Sequence, residues 1–340
     1  MTGQEYCSKT YIMDEKSMLL LGVDGGGTKT TVAACNVLGE YLGNVICGSI
    51  NYNSTGMKTA RENITAGVKG ILHKTGQKDY RFMTIGHSAL DDVATEKEKS
   101  SFAETIIDKD KLYMLSDADA ALKGSVLCGP GMLIISGTGA MGTAIDRTGK
   151  KYIAGGWGYL LQDDGSGFAI GMAAIKSAIR DYERGVSGLL EEVVNVHFNV
   201  HAIRDIIPVI YAEGFLPSDI AALAIKVANI AETGDTEANR ILKETARDLA
   251  GLVFSLTQLA KGALKNAPVY IYGSILQKCQ VVRSEFEQRV HERYPDTIIT
   301  HPRLPAECGS LIYSAEKCGL LNQTFLLTLE TTYHQAKSLT

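Results

Sequence analysis

Asp24 stands directly ahead of three consecutive glycines, Gly25, Gly26 and Gly27, which are followed by Thr28, Lys29 and two more threonines. Residues of these types in this order offer phosphate chemistry. A turn without Cβ atoms lets backbone N–H groups come close to phosphate oxygens, and consecutive amides in such a turn form an anion-binding concavity. Thr28 adds a hydroxyl and Lys29 a point charge, while Asp24 at a strand end could hold Mg2+ through water. The same glycines are equally those of a tight hairpin turn that needs positive φ. A second stretch, GMLIISGTGAMGTAID, repeats the theme of apolar strand, glycine turn and strand, with Gly137, Thr138 and Gly139 in the turn. That repetition shifts the reading toward phosphate. No G-x-x-x-x-G-K-[ST] occurs, and no G-x-G-x-x-G opens a helix behind a strand, so these are not Walker or dinucleotide-binding loops.

Two strand-turn-strand units imply two related lobes facing one another. Around the first, the pattern predicts strands over Leu19–Val23, Thr31–Val37 and Tyr41–Ile46, a helix over Lys58–Lys74 and a strand over Tyr80–Ile85. A charged helical stretch, Asp91–Ile107, and a strand, Lys111–Leu115, ending at Ser116-Asp117, follow. The remainder reads as mainly helical: Gly165–Arg184, then Ser218–Glu232 and Thr236–Leu264, with a strand at Val269–Tyr272 and a final helix at Glu307–Cys318. The expected division is an N-terminal lobe over 18–117, a C-terminal lobe with helical insertions over 118–305, and a C-terminal helix within 306–322 that packs back on the first lobe.

Composition sets the frame. The chain has 340 residues, 45% of them hydrophobic and 21% charged, enough to bury a full core and to favour two lobes over one. Its net charge of -4 comes from mixed signs with no basic block, so the footprint of a nucleic-acid or anionic-membrane binder is missing. Seven cysteines, an odd number without a C-x-x-C pair, indicate neither zinc nor a disulfide framework and fit a reducing cytoplasm. The first 17 residues are polar and the apolar run behind them is short, so neither a signal peptide nor a membrane span is expected. The seven histidines form no zincin helix: His197 and His201 are four apart but lack its glutamate. Surface or packing roles are expected of them.

With these motifs in place, the chain resembles the actin, heat-shock ATPase and sugar-kinase superfamily, in which DGGGTKT is similar to the first phosphate loop and ISGTGAMG to the second. The stretch GGWGYLLQDDGSGFAIG resembles the signature of N-acetylglucosamine kinases and their bacterial relatives. The same family includes activator ATPases of benzoyl-CoA reductase and hydroxyacyl-CoA dehydratases. The likeness runs from about Leu19 to Leu320. It implies an α/β, two-lobed actin-like ATPase fold (ribonuclease H-like) with a nucleotide cleft between the lobes.

Carried over residue by residue, the resemblance makes Asp117, in LSDADAALKG, the catalytic base, a carboxylate able to accept a hydroxyl proton as a phosphoryl group transfers in line. Asp119 is its rival, and Ser116-Asp117 could instead simply start a helix. Asn51, Asp163 and the backbone of Gly156, Trp157 and Gly158 become sugar ligands, since an amide and a carboxylate suit vicinal hydroxyls; Trp157 reads equally as a packing anchor. Thr138 and Gly139 join Thr28 on the phosphates, Gly273 and Ser274 in IYGSILQ face the base or ribose, and Ala231 approaches adenine.

The chain departs from the family pattern at Gln162, Asp164, Ala140 and Glu307-Cys308, which leaves the choice of sugar open. The expected activity is ATP- and Mg2+-dependent phosphorylation of an amino sugar, N-acetylglucosamine or a relative, at the 6-hydroxyl. The alternative is an ATPase that activates an iron–sulfur-dependent CoA-ester reductase or dehydratase; the scattered cysteines argue against it. A degenerate sugar-binding regulator is disfavoured by Asp24, Asp117 and Asp163. A homodimer stays open.

Overall fold

The computed structural model describes residues 18–90, 96–103 and 109–338. The described residues form two compact units, one drawn from residues 18–127 and 303–338 and the other of 128–302. The helix after Asp117 packs in the first unit.

The first unit is built on β1 (Leu19–Gly25), β2 (Lys29–Asn36) and β3 (Tyr41–Gly48), then α1 (Tyr52–Thr55), α2 (Met57–Thr75), β4 (Tyr80–His87), α3 (Glu96–Ala103), β5 (Leu112–Ser116) and α4 (Asp117–Val126). Its sheet runs β3-β2-β1-β4-β5, with β1 antiparallel to β2 and parallel to β4, and β4 parallel to β5. Successive side chains of a strand point to opposite faces. Leu19, Leu21 and Val23 accordingly join Ile64, Ile71 and Phe102 in one core cluster, while Leu20 joins a second with Ala33 and Leu311. Burial on both faces is why β1 reads as an unbroken apolar run.

The second unit comprises β6 (Gly131–Ser136), β7 (Ala140–Ile145), β8 (Lys151–Gly155), α5 (Gly167–Glu183), α6 (Leu189–Phe198), α7 (Ile206–Ile210), α8 (Pro217–Ala221), α9 (Leu223–Glu232), α10 (Thr236–Leu259), β9 (Val269–Tyr272), α11 (Ser274–Lys278), α12 (Gln280–Arg293) and β10 (Ile299–Thr300). The order β10-β9-β6-β7-β8 again places a glycine-turn hairpin, β6-β7, in a sheet with a parallel neighbour, β9. The chain then returns to the first unit as α13 (Ala306–Lys317) and α14 (Gln323–Ser338).

Several expected elements are redrawn. The helix read over Ser218–Glu232 is two helices that meet at Ala222. The helix read to Leu264 stops at Leu259, because Lys261 and Gly262 take positive φ and the Gly262 amide turns back to the Thr257 carbonyl. Glu307–Cys318 is not the last helix, since α14 follows it and buries Phe325, Leu326 and Leu329 in the core shared with α13. The charged stretch Asp91–Ile107 is helical over Glu96–Ala103, and its other residues lie outside those described. α13 is bolted to the sheet by two serines. The Ser310 hydroxyl donates to the Val23 carbonyl and that of Ser314 to the Leu21 carbonyl, each at 2.8 Å.

Candidate active site

In the first unit the C-terminal ends of β1, β4 and β5 carry the polar groups. The loop between β1 and β2 holds Gly26, Gly27 and Thr28, and it closes through a bond from the Gly26 amide to the Lys29 carbonyl at 3.1 Å. None of Gly25, Gly26 and Gly27 has a positive φ, so the hairpin alternative, which needed one, does not account for them. Packing explains Gly25, whose Cβ would run into Ile50. It does not explain Gly27, where a Cβ would meet nothing within 4 Å. The fold asks for glycine at that position neither for space nor for conformation, and the exposed amides of Gly27 and Thr28 make no hydrogen bond among the described residues. A loop of this kind is fitted for close approach by a ligand's oxygens.

Behind the loop lies a polar web. The Ser49 hydroxyl donates to the Gly26 carbonyl at 2.9 Å and accepts from the Asn51 amide at 3.1 Å. Asn51 uses its Oδ1 to cap α1 by accepting from the Asn53 amide and its Nδ2 to donate to the Ser88 hydroxyl, both at 3.0 Å. The Ser88 amide in turn donates to the Gly25 carbonyl at 3.0 Å. Asn51 is therefore held beside the phosphate-type loop by two serines that no motif had marked. His87, at the end of β4, is buried and its Nδ1 accepts from the Ala89 amide at 3.0 Å, a packing role as expected.

Asp117 is the first residue of α4, and Ser116 is its N-cap, accepting from the Asp119 amide at 3.1 Å. The capping job thus falls to Ser116. Asp117 accepts from the adjoining Ala118 amide at 2.8 Å, and burial raises its pKa. Asp119 lies two residues on along a helix, about 200° around its axis, and so does not share the direction of Asp117. Asp24 has its pKa raised to about 7, chiefly by burial, then by the charges of Glu307 and Asp117, with Lys29 opposing. Glu307, in the first turn of α13, is itself buried and raised for the same reason. The sequence marked it only as a departure from a pattern.

In the second unit the turn from Ser136 to Ala140 is braced from below. The Gly167 and Phe168 amides, first in α5, donate to the carbonyls of Gly137 and Thr138 at 2.8 and 3.2 Å. Asp163 Oδ1 accepts from the Ala140 amide at 2.7 Å, so this carboxylate, expected as a sugar ligand, also holds the loop; burial raises its pKa. Gly137, like Gly27, has open space at its Cβ and no positive φ. Thr138 and Gly139 are exposed. Gly273, at φ +92, sits where a Cβ would overlap the Ser136 carbonyl oxygen, and the exposed Ser274 opens α11 behind it. Parallel pairing of Ile135 with Tyr272 brings these two strand ends together.

Gly156 and Gly158 adopt positive φ in an exposed loop around Trp157, which is 65% exposed and not a core anchor. The Ala231 side chain is packed in the core, and its carbonyl accepts from Asn239 Nδ2 at 2.8 Å. The second unit therefore gathers Gly137, Thr138, Gly139, Asp163 and Gly273 at one loop and buries the Ala231 side chain.

The chain is similar along most of its length to known phosphotransferases. An N-acetylmuramic acid/N-acetylglucosamine kinase of Clostridium acetobutylicum is 27% identical over 302 residues, 88% of this chain and 99% of the relative. The glucosamine kinase GspK of Vibrio cholerae is 29% identical over 264 residues, 76% of this chain and 86% of that one. In fold, the chain matches a candidate N-acetylglucosamine kinase of Chromobacterium violaceum with a TM-score of 0.71 at 22% identity, covering 88% of this chain and 99% of the other. A glucokinase of the ROK family from Streptomyces griseus matches with a TM-score of 0.53 at 18% identity, covering 88% and 98%. These likenesses identify the two-lobed actin-like fold of sugar kinases. Residues 21–310 match the model of the BadF/BadG/BcrA/BcrD ATPase family, and the chain belongs to that family.

Proposed function

We propose that the protein is an ATP-dependent amino-sugar kinase that phosphorylates a hydroxyl, the 6-hydroxyl, of N-acetylglucosamine or a related sugar. The observation that carries this reading is the pair of glycines, Gly27 and Gly137, that neither packing nor backbone conformation requires. Each stands in a glycine turn between antiparallel strands with exposed amides, and the chain's relatives are kinases of amino sugars. Thr28 and Lys29 add a hydroxyl and a charge to the first loop.

Asp117 takes the proton of the attacking hydroxyl. Burial, which raises its pKa, brings a carboxylate toward the basicity a general base needs. Asn51, fixed by Ser88, offers its remaining amide hydrogen and lone pair to sugar hydroxyls, and Asp163 is the partner in the second unit. The carboxylates Asp24, Asp117 and Glu307 are answered by Lys29, which acts on Asp24 and Glu307, and by Lys337, which acts on Glu307, a charge balance that a divalent cation would improve. No group of three acidic, histidine or cysteine residues among the described ones could hold a metal directly. Asp24 would then hold Mg2+ through water, and the cation would supply charge neutralisation at the transferring phosphates. Ser274 and the backbone of Ala231 are assigned to the nucleoside. The six described cysteines are free, and no helix among the described residues is long and apolar enough to cross a membrane; the setting that goes with this reading is the cytoplasm, where ATP and amino sugars meet.

The test is ADP release with ATP-Mg2+ and a panel of amino sugars. Turnover should require the sugar, and Asp117→Asn should lower kcat by about 10²- to 10⁴-fold while nucleotide affinity holds. A rate indifferent to every sugar would sink the kinase reading.

A further inference from the structure

Within the second unit, a cavity of about 700 Å³ opens beside the Asp163 loop. Phe168 and Met172 of α5, Ile210, Phe215 and Ile220 form its apolar body, and Asp163 stands on its edge. Tyr159 and Phe168 set their rings 5.2 Å apart on one wall. At the mouth, Leu160 and Tyr211 are 82% and 85% exposed, large apolar groups that gain by being covered.

We infer that this cavity is a subsite for an N-acyl chain longer than acetyl, carried by the amino sugar that Asp163 holds; the inference rests on the kinase reading above. Size supports it first. A water-sized group occupies about 30 Å³, so the cavity has room for on the order of twenty, against the single methyl of an acetyl group. Chemistry supports it next. A pocket with apolar walls and its polar groups set apart orients a ligand by those groups and binds its hydrocarbon by burial. Two carboxylates, Asp163 and Asp164, line it against one cation, Lys176, which disfavours an anionic substituent and selects a neutral acyl chain. Asp163, which holds the Ala140 amide at 2.7 Å, ties the cavity to the second glycine turn.

The experiment is a ladder of N-acetyl-, N-butanoyl- and N-hexanoyl-glucosamine on the wild-type enzyme. Burial of one methylene is worth about a fourfold gain in affinity, so KM should fall about fifteenfold from acetyl to butanoyl and further for hexanoyl. Ala173→Phe, which fills the lining, should abolish the dependence on chain length and leave the N-acetyl substrate within about twofold. Met172→Trp is the second filling variant. A KM that is flat or rises along the ladder, while N-acetylglucosamine is turned over, overturns the subsite and leaves the kinase standing. If no sugar is turned over, calorimetry without nucleotide separates the two ideas. Tighter binding of the hexanoyl than of the acetyl compound keeps the subsite and removes the kinase reading, and equal affinity or no binding removes the subsite. A dimer that dissociates on Leu160→Asp, together with a flat ladder, would assign the apolar mouth to a second copy instead.

Discussion

Asp24→Asn should make the unliganded protein more stable at high pH and leave it unchanged at low pH. Asp24 titrates in the folded protein at about 7, against 3.8 for an ordinary aspartate. Burial is the largest cause, followed by Glu307 and Asp117. Between these values the folded form binds a proton that the unfolded chain has lost, so stability falls as pH rises. Above the folded value the loss is complete. At about 1.4 kcal/mol per unit over roughly three units, the wild type gives up about 4 kcal/mol that an asparagine, which does not ionise, retains. Part of the rise in the Asp24 pKa is the repulsion from Glu307 and Asp117, which the asparagine relieves together with the burial cost, so the whole shift enters the comparison. Urea unfolding at a series of pH values, without nucleotide or Mg2+, reads the effect. The gap between variant and wild type should open from near zero around pH 4 to about 4 kcal/mol at pH 8. Adding ATP-Mg2+ should then stabilise the wild type more than the variant, because a cation relieves the charge only where there is one. A gap of the same size at every pH would refute the reasoning, since it would place the cost of Asp24 in packing and not in charge.

Gly273→Ala should destabilise the second unit by about 2–6 kcal/mol, the sum of a strained positive φ and an overpacked contact with Ser136, visible as a lower Tm together with weaker ATP binding. A wild-type Tm would show that the strand ends separate without cost. Ser88→Ala removes the acceptor of Asn51 Nδ2; one hydrogen bond of about 0.5–1.5 kcal/mol predicts a KM for the sugar raised about 2- to 13-fold with the KM for ATP unchanged. Equal changes in both would show that Ser88 supports the glycine loop and not the amide.

The hairpins and their turns were legible because local chemistry writes them. Glycine clusters interrupt apolar runs buried on both faces, and the motif order then named the family. What the sequence left hidden depends on contacts distant in the chain. Ser88 and Ser49 are ordinary loop serines until folding sets them around Asn51. α12 carries its buried face on only three residues, Val282, Phe286 and Val290, among charges, so its periodicity is sparse though present. β8, with Lys151 and Ile153 exposed, shows little of the apolar pattern of a buried strand. α14 escaped because Gly319, behind the preceding helix, reads as an end, whereas Phe325 and Leu329 continue the core beyond it.

The two glycine turns share a chemistry and differ in what holds them, and the difference assigns their neighbours. The first is steadied by side chains from loops, Ser49, Asn51 and Ser88, so Asn51, proposed above as a sugar ligand, belongs to the web that fixes the loop. The second leans on a helix start, whose amides are taken by the Gly137 and Thr138 carbonyls. Those carbonyls face the helix, and no intramolecular partner among the described residues takes the Thr138 and Gly139 amides. Asp163 completes the arrangement, because one of its oxygens holds the Ala140 amide and its direction is thereby fixed before any ligand arrives. A carboxylate held in this way spends no further side-chain entropy on orienting a hydroxyl. The same bond that shapes the phosphate-type turn therefore pre-sets the group assigned to the sugar.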